Sequence, residues 1–318
     1  MRVLFIFLDG IGLGENNPDT NPFARAKMPN LNQLLDGRSL LKDAAPFHGE
    51  YASLLAVDPA VGVSGLPQSA TGQAILLTGI NIPAELGYHY GPKPNPEVAG
   101  YLKEASLFSR ITKEGKKAAL LNAYPPRYFD GIDSGKRLYS SIPLAVINAG
   151  LPLFRHDDLF AGRALSADFT GEGWRSMLGF KDAPVMAADQ AGRKLASLAG
   201  EYDFSLFEYW ASDYAGHKQQ MDHAIELMET FDAVLGGLID AWEDGLILVT
   251  SDHGNMDDLS TRKHSDAHVP ALVIGDKEAR TEFTHGIQDL THIAPAIWKT
   301  VMHNHGPVSD KTHKDLVS

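Results

Sequence analysis

The sequence predicts an α/β protein built on an open, mostly parallel sheet, with helices on both faces and a small inserted cap. Two observations carry this. Six short runs rich in β-branched and large apolar residues show near-continuous hydrophobicity: Val3–Leu8, Ala52–Val57, 117–123, 204–210, Leu246–Thr250 and Val269–Ile274. Runs without polar alternation mark strands buried on both faces. Between them lie stretches with apolar residues at helical spacing, and strands alternating with helices imply a sheet covered on both sides.

In chain order, Val3–Leu8 is a first strand that ends on Asp9-Gly10, and Ala52–Val57 is the next. Ser69 opens a helix over 70–77, and another helix over 101–114 precedes the strand 117–123. Residues 125–183 break the rhythm; rich in Gly, Pro, Arg and Asp, they read as an insertion or cap. A helix over 187–198 leads to the strand 204–210. The clearest helical pattern then runs over 217–242, with Ala224, Met228, Phe231, Val234, Leu235 and Leu238 on one face. Two further strands and a helix over 290–302 follow. No repeat or long linker is visible, so residues 1–318 read as one domain.

Composition narrows the function. The 318 residues are 44% apolar, which excludes a disordered or low-complexity chain. No cysteine is present, so disulfides, iron–sulfur clusters, thiol catalysis and zinc ribbons are excluded. A net charge of −12 argues against nucleic acid or an anionic membrane as partner. The first apolar run is too short for a signal peptide, and no stretch approaches the ~20 residues that span a bilayer. These features predict a soluble, cytoplasmic protein. Histidines His303, His305 and His313 near the end are too irregularly spaced for a purification tag. An acidic protein that handles anions must concentrate positive charge locally, and 13 histidines make bound metal a plausible means.

The reactive residues fall where α/β sheets bind ligands, just beyond strand ends. Asp9 follows the first strand, Asp213 and His217 follow 204–210, and Asp252 and His253 follow Leu246–Thr250. Singly, each has an ordinary structural explanation: Asp9-Gly10 as a turn, Asp213 as a helix cap, Asp252-His253-Gly254-Asn255 as a polar loop. Together with His264 they form an oxygen and nitrogen set suited to divalent cations such as zinc or manganese. Three aspartates around two such ions leave one net positive charge, as an anionic substrate needs. Ser69 alone reads as a helix cap, but a hydroxyl at a helix start beside metal is also a usable nucleophile. Thr71 is a second hydroxyl in the same turn.

These residues resemble the alkaline phosphatase superfamily, most closely the branch of cofactor-independent phosphoglycerate mutases and phosphopentomutases. The resemblance rests on Asp9-Gly10, Ser69, Asp213-x-x-x-His217, Thr250-Ser251-Asp252-His253-Gly254-Asn255, and His264 followed at the family spacing by Pro270. That spacing favours His264 over His268. The resemblance implies one metal on Asp213, His217 and His264, and another on Asp9, Asp252 and His253, with Ser69 reaching it. It further implies two divalent ions, a small phosphorylated substrate and a phosphoseryl intermediate. Gln73 departs from the mutases, which carry His there. The middle of the chain is also too short for their large second domain, which tilts the expectation from phosphomutase towards phosphatase. Of the cap arginines, Arg127 is the one best placed to bind substrate.

Other templates fit less well. Gly10-x-Gly12-x-Gly14 is one residue short of the dinucleotide fingerprint, and Asp9 would face the pyrophosphate. Gly62-Val63-Ser64-Gly65 is one residue short of a nucleophile elbow. A non-catalytic metal-binding protein is a further alternative, against which the complete ligand set speaks.

Overall fold

A computed structural model describes residues 1–303, so His305 and His313 lie outside the described residues. Among the described residues there are nine strands: β1 (Val3–Leu8), β2 (Phe47–His48), β3 (Ala52–Val57), β4 (Ala118–Leu120), β5 (Ala123–Tyr124), β6 (Phe154–Arg155), β7 (Phe204–Tyr209), β8 (Leu246–Thr250) and β9 (Val269–Ile274). Seven form one sheet in the order β2-β3-β9-β8-β1-β7-β4, while β5 and β6 pair separately.

Helices cover both faces, and the central strand shows why its sequence is continuously apolar. Leu4, Ile6 and Leu8 of β1 belong to one buried cluster, with the helices Ala188–Ala199 and Met221–Ala241. Val3, Phe5 and Phe7 belong to the other, with the helices Ser69–Thr78, Leu107–Lys113 and Ile293–Met302. Alternate side chains thus enter different apolar layers.

The α/β class is as expected, but only half of the sheet is parallel. β8, β1, β7 and β4 run parallel, whereas β9 is antiparallel to β8 and to β3, and β3 to β2. Burial on both faces erases the alternation that would have distinguished the two directions. The helix expected over 217–242 is likewise two helices, Ala211–Lys218 and Met221–Ala241. Gln219 breaks it in the left-handed conformation, φ 55°. The helix expected over 101–114 is divided at Ser106, whose hydroxyl caps the second piece by accepting from Ser109 N–H.

Residues 125–183 add no strand to the main sheet. Helices Pro126–Asp133 and Ser141–Asn148 bury Tyr128, Phe129, Ile142, Ala145 and Val146 in the core, so this part is core rather than cover. The remainder packs around a satellite cluster of Leu159, Ala164, Trp174 and Ala183.

The topology brings several loops to one sheet edge. β1, β7 and β8 all end there, and β9 begins there, since Thr250 pairs with Ala271. β3 ends there too, with Val57 opposite Val269, and its following loop delivers the helix Ser69–Thr78. That helix passes so close to β8's end that a Cβ on Gly72 would lie 2.8 Å from Asp252 Cβ. Gly72→Ala should therefore push the helix off this edge and cost about 1–3 kcal/mol by overpacking. Urea unfolding measures the loss, and an alanine variant as stable as the parent would show that the helix can move freely.

Candidate metal centre

Each ligand candidate is held by its own local structure. Asp9 leaves β1 with its N–H bonded to Tyr209 O at 2.9 Å, which ties it to β7. The following Gly10 has φ 70°, and a Cβ there would lie 2.7 Å from Asp213 Oδ1, so glycine lets the two loops meet. Asp213 and His217 sit one turn apart on the helix Ala211–Lys218. Ser69 is the first residue of its helix, not its cap; the cap position belongs to Gln68 and has no side-chain hydrogen bond.

The structure brings Asp9, Ser69, Asp213, His217, Asp252, His253 and His264 together. His217 Nε2 lies 3.3 Å from Asp213 Oδ2, and His264 Nε2 lies 3.9 Å from Asp213 Oδ1. His253 Nε2 is 3.5 Å from Asp9 Oδ1, 3.6 Å from Asp252 Oδ2 and 3.1 Å from Ser69 Oγ. Two trios have ligand atoms within 4.8 Å of one another: Asp213, His217 and His264, and Asp9, Asp213 and His253. Asp213 therefore reaches both groups, while Asp252 adjoins the second through His253.

The histidines are poised alike. The Nδ1 atoms of His217 and His264 each face a carbonyl at 2.7 Å, from Arg262 and Pro67, and Nδ1 of His253 faces Gly254 O at 3.3 Å. Those carbonyls hold Nδ1 and turn Nε2 towards the aspartates, the orientation a metal needs; without metal, Nε2 of His217 hydrogen-bonds Asp213.

The electrostatics call for a cation. Both oxygens of Asp252 and Oδ1 of Asp9 are buried without a hydrogen-bond partner. Burial, then the charge of Asp252, holds the Asp9 carboxyl well above the usual range; burial, then the charge of Asp213, does the same to Asp252. Burial opposes ionisation of Asp213 too, yet the hydrogen bond with His217, the field of His253 and the Asn255 amide bring it down to about 2. Burial lowers His253 to about 3, so this imidazole is neutral. Burial lowers His264 as well, whereas the hydrogen bond to Asp213 raises His217. Orphaned carboxylate oxygens facing imidazole Nε2 atoms are the donor set of a divalent ion, and the residues present fit one.

Several contributors were not anticipated. Asn255 donates its amide to Asp213 Oδ1 at 2.6 Å, Ser212 donates to Asp9 O at 2.6 Å, and Ser251 accepts from Ile11 N–H at 2.9 Å. Their adjacency to Asp213 and Asp252 was the available signal. Gln73 is buried and favours the charged form of Asp252. His268 lines a separate cleft with Leu13, Thr20 and Lys42. Arg127 is exposed on the helix Pro126–Asp133, whereas the cation whose field reaches Asp9 is Lys93.

In the metal-free protein Asp9 and Asp252 have folded pKa values above their unfolded ones, so ionising them costs stability. That cost is absent below about pH 4 and grows as pH rises through the folded values. Asp252→Asn removes one of the charges. In a chelator at about pH 7 the variant should exceed the parent by roughly 1–3 kcal/mol, with the gap closing towards pH 4. With excess zinc or manganese the order should reverse, because a ligand is lost. Urea unfolding under both conditions checks the pair of signs; a variant weaker in both would mean that the carboxylates do not repel.

Comparison with known proteins bears on the family and the fold. Residues 166–305 match the Metalloenzyme superfamily model. The chain is similar to the 2,3-bisphosphoglycerate-independent phosphoglycerate mutase of Francisella tularensis, 34% identical over 125 residues, which is 36% of this chain and 24% of that one. It is also similar to the mutase of the same name from Thiobacillus denitrificans, 31% identical over 119 residues, 34% of this chain and 23% of that one. The match thus spans about a quarter of these curated relatives. Among solved structures, the alkaline phosphatase of the Antarctic bacterium TAB5 superposes with a TM-score of 0.56 at 15% identity, over 96% of this chain and 98% of that one. The Thermus thermophilus alkaline phosphatase gives 0.55 at 12% identity, over 94% and 90%. Such identities speak for the fold alone. The family match over residues 166–305, the mutase relatives and the shared fold support the alkaline phosphatase superfamily of metalloenzymes, near its cofactor-independent phosphoglycerate mutase branch.

Proposed function

We propose that the protein is a two-metal-dependent phosphoester hydrolase, a phosphatase of small phosphorylated substrates that acts through a phosphoseryl intermediate. The observation that carries this reading is the position of Ser69. Its Oγ stands at the first turn of a helix and 3.1 Å from Nε2 of His253, a member of the trio with Asp9 and Asp213. Two divalent ions, zinc or manganese, held by Asp213, His217 and His264 and by Asp9, Asp252, His253 and Ser69, would supply positive charge that acidifies the serine hydroxyl and offsets phosphoryl oxygens.

The chain's own groups do the rest. Thr71 and Gly72 donate their N–H groups to Tyr90 O and Gln68 O, leaving the N–H groups of Ser69 and Ala70 at the helix start for phosphoryl oxygens. Ser69 gives its proton to solvent, and Oγ attacks phosphorus as the bond to the leaving alcohol breaks. The leaving oxygen takes up a proton from solvent. Water then cleaves the phosphoseryl bond, releasing inorganic phosphate and restoring the hydroxyl. His217, with 41% of its side chain exposed, marks the side open to water.

A phosphomutase, which would return the phosphate to the substrate, is the second reading, and the mutase relatives favour it. The interval between Ser69 and Asp213 speaks for hydrolysis. Its first part is core, and the satellite around Trp174 is the small cap of this single domain, too small to enclose an intermediate. Among the described residues no helix is long and apolar enough to cross a membrane, which suits a cytoplasmic enzyme.

Ser69→Ala should keep its metal by elemental analysis and lose phosphate release by roughly a thousandfold or more. Undiminished turnover in that variant would remove Ser69 as nucleophile. A panel of phosphomonoesters separates the readings: inorganic phosphate indicates hydrolysis, an isomer without phosphate the mutase. A protein that binds no divalent metal would exclude both.

A further inference from the structure

Beside the metal centre two cations, Lys93 and Arg137, form no salt bridge among the described residues. The segment carrying Lys93 is strapped to the first turn of the Ser69 helix. Tyr90 O accepts from Thr71 N–H at 3.0 Å and from the Thr71 hydroxyl at 3.2 Å. Gly91 lies so near that a Cβ would sit 3.1 Å from Gln68 Cβ and 3.3 Å from Ser69 N. Lys93, two residues on, has as its charged neighbours Glu208, Arg137 and Asp9.

Arg137 comes from the other side, in the connection after the helix Pro126–Asp133. Its N–H donates to Gly131 O at 2.9 Å, and its guanidinium lies over the Tyr128 ring, 5.1 Å from the centroid. Tyr128 packs on Tyr124 with centroids 4.5 Å apart, and Tyr124 donates its hydroxyl to Glu208 at 2.5 Å. Tyr128 is only 7% exposed, yet its own hydroxyl has no hydrogen-bond partner, which marks an incomplete polar site.

Among the described residues the ion pairs of Lys and Arg involve neither Lys93 nor Arg137. Both reach solvent. Glu208 and Asp9 are the carboxylates whose charge reaches Lys93; with Asp9 engaged by a metal, Glu208 alone would face the two cations. In a chain of net charge −12, holding two mutually repelling cations at the site is favourable when an anion is shared between them. Arg137, stacked by one face, keeps its planar fork free for an oxyanion, and Lys93 supplies a point charge.

We infer that Lys93 and Arg137 form a clamp for an oxyanion of the substrate, with Tyr128, Tyr124 and Glu208 as the positioning residues behind it. The inference rests on the phosphoester reading above and adds to it the residues that grip the substrate outside the metal ligands. The oxyanion has two possible sources, the transferred phosphoryl group or a second acid group on the leaving alcohol.

The test uses metal-loaded Ser69→Ala protein, in which esters bind without turnover. Its probes are inorganic phosphate, a phosphomonoester of a neutral alcohol, and a matched ester whose alcohol carries a carboxylate. Calorimetry should show Lys93→Met and Arg137→Met weakening binding by roughly tenfold to a hundredfold each, with Lys93→Arg close to the parent. Loss on all three probes assigns the clamp to the phosphoryl group; loss on the third alone assigns it to the leaving group. Variants with full metal content that bind every probe within twofold of the parent overturn the clamp. Phosphate release by protein with Ser69 intact is measured separately, so failure of the hydrolase reading and failure of the clamp are told apart.

Discussion

Three aspartates from three loops meet at one sheet edge, and their mutual repulsion is the constraint on which the rest of the site depends. The strand order β8-β1-β7 makes the carriers immediate neighbours, and adjacent strands lie about 4.8 Å apart. Asp252, Asp9 and Asp213 therefore cannot avoid one another once the sheet forms. Burial raises the cost, since desolvation leads the causes that push Asp9 and Asp252 up. The donors that could have relieved them point elsewhere, because each histidine turns Nδ1 to a carbonyl. The arrangement is resolved only by added positive charge.

That same constraint explains features that look merely structural. Asn255 and Ser212 act on Asp213 and on the main chain of Asp9, which fixes where the loops stand. Gly10 and Gly72 remove the Cβ atoms that would keep Asp213 and Asp252 from their neighbours. Close approach is built in at the level of backbone, so the repulsion cannot be relaxed by rotating a side chain away. A site of this kind stores part of the folding free energy as an unmet demand for a cation.

Much of this was legible in the sequence because it depends on local pattern. The runs Val3–Leu8, Leu246–Thr250 and Val269–Ile274 are strands at those bounds, and residues just past strand ends must share an edge when strands are parallel. His264 was harder, since it precedes a strand; the antiparallel direction of β9 is what brings it to the same edge, and hydrophobicity does not encode direction. Gln219 was hidden for a similar reason. The apolar face from Ala224 onwards has helical period, and nothing in that period reveals the left-handed residue before it. Arg127, singled out for its proximity in sequence to a strand end, stands exposed on the helix Pro126–Asp133.

Lys93 shows the limit of reading motifs. It lies in a loop, at no recognisable spacing from Asp9, Ser69 or Asp213, and comes near the centre because Thr71 and Gly91 hold that loop to the Ser69 helix. Metal ligands recur at short spacings because coordination demands several atoms within a few ångströms. A cation acting through its field can arrive from anywhere in the fold. The division has a functional consequence: the residues that supply the chemistry are set by the sheet, while those that grip the rest of the substrate sit on connections that can vary without disturbing it. If the proposed clamp grips the leaving group, substrate preference would lie in the loop 88–95 and the connection bearing Arg137, not in the strand ends that hold the aspartates.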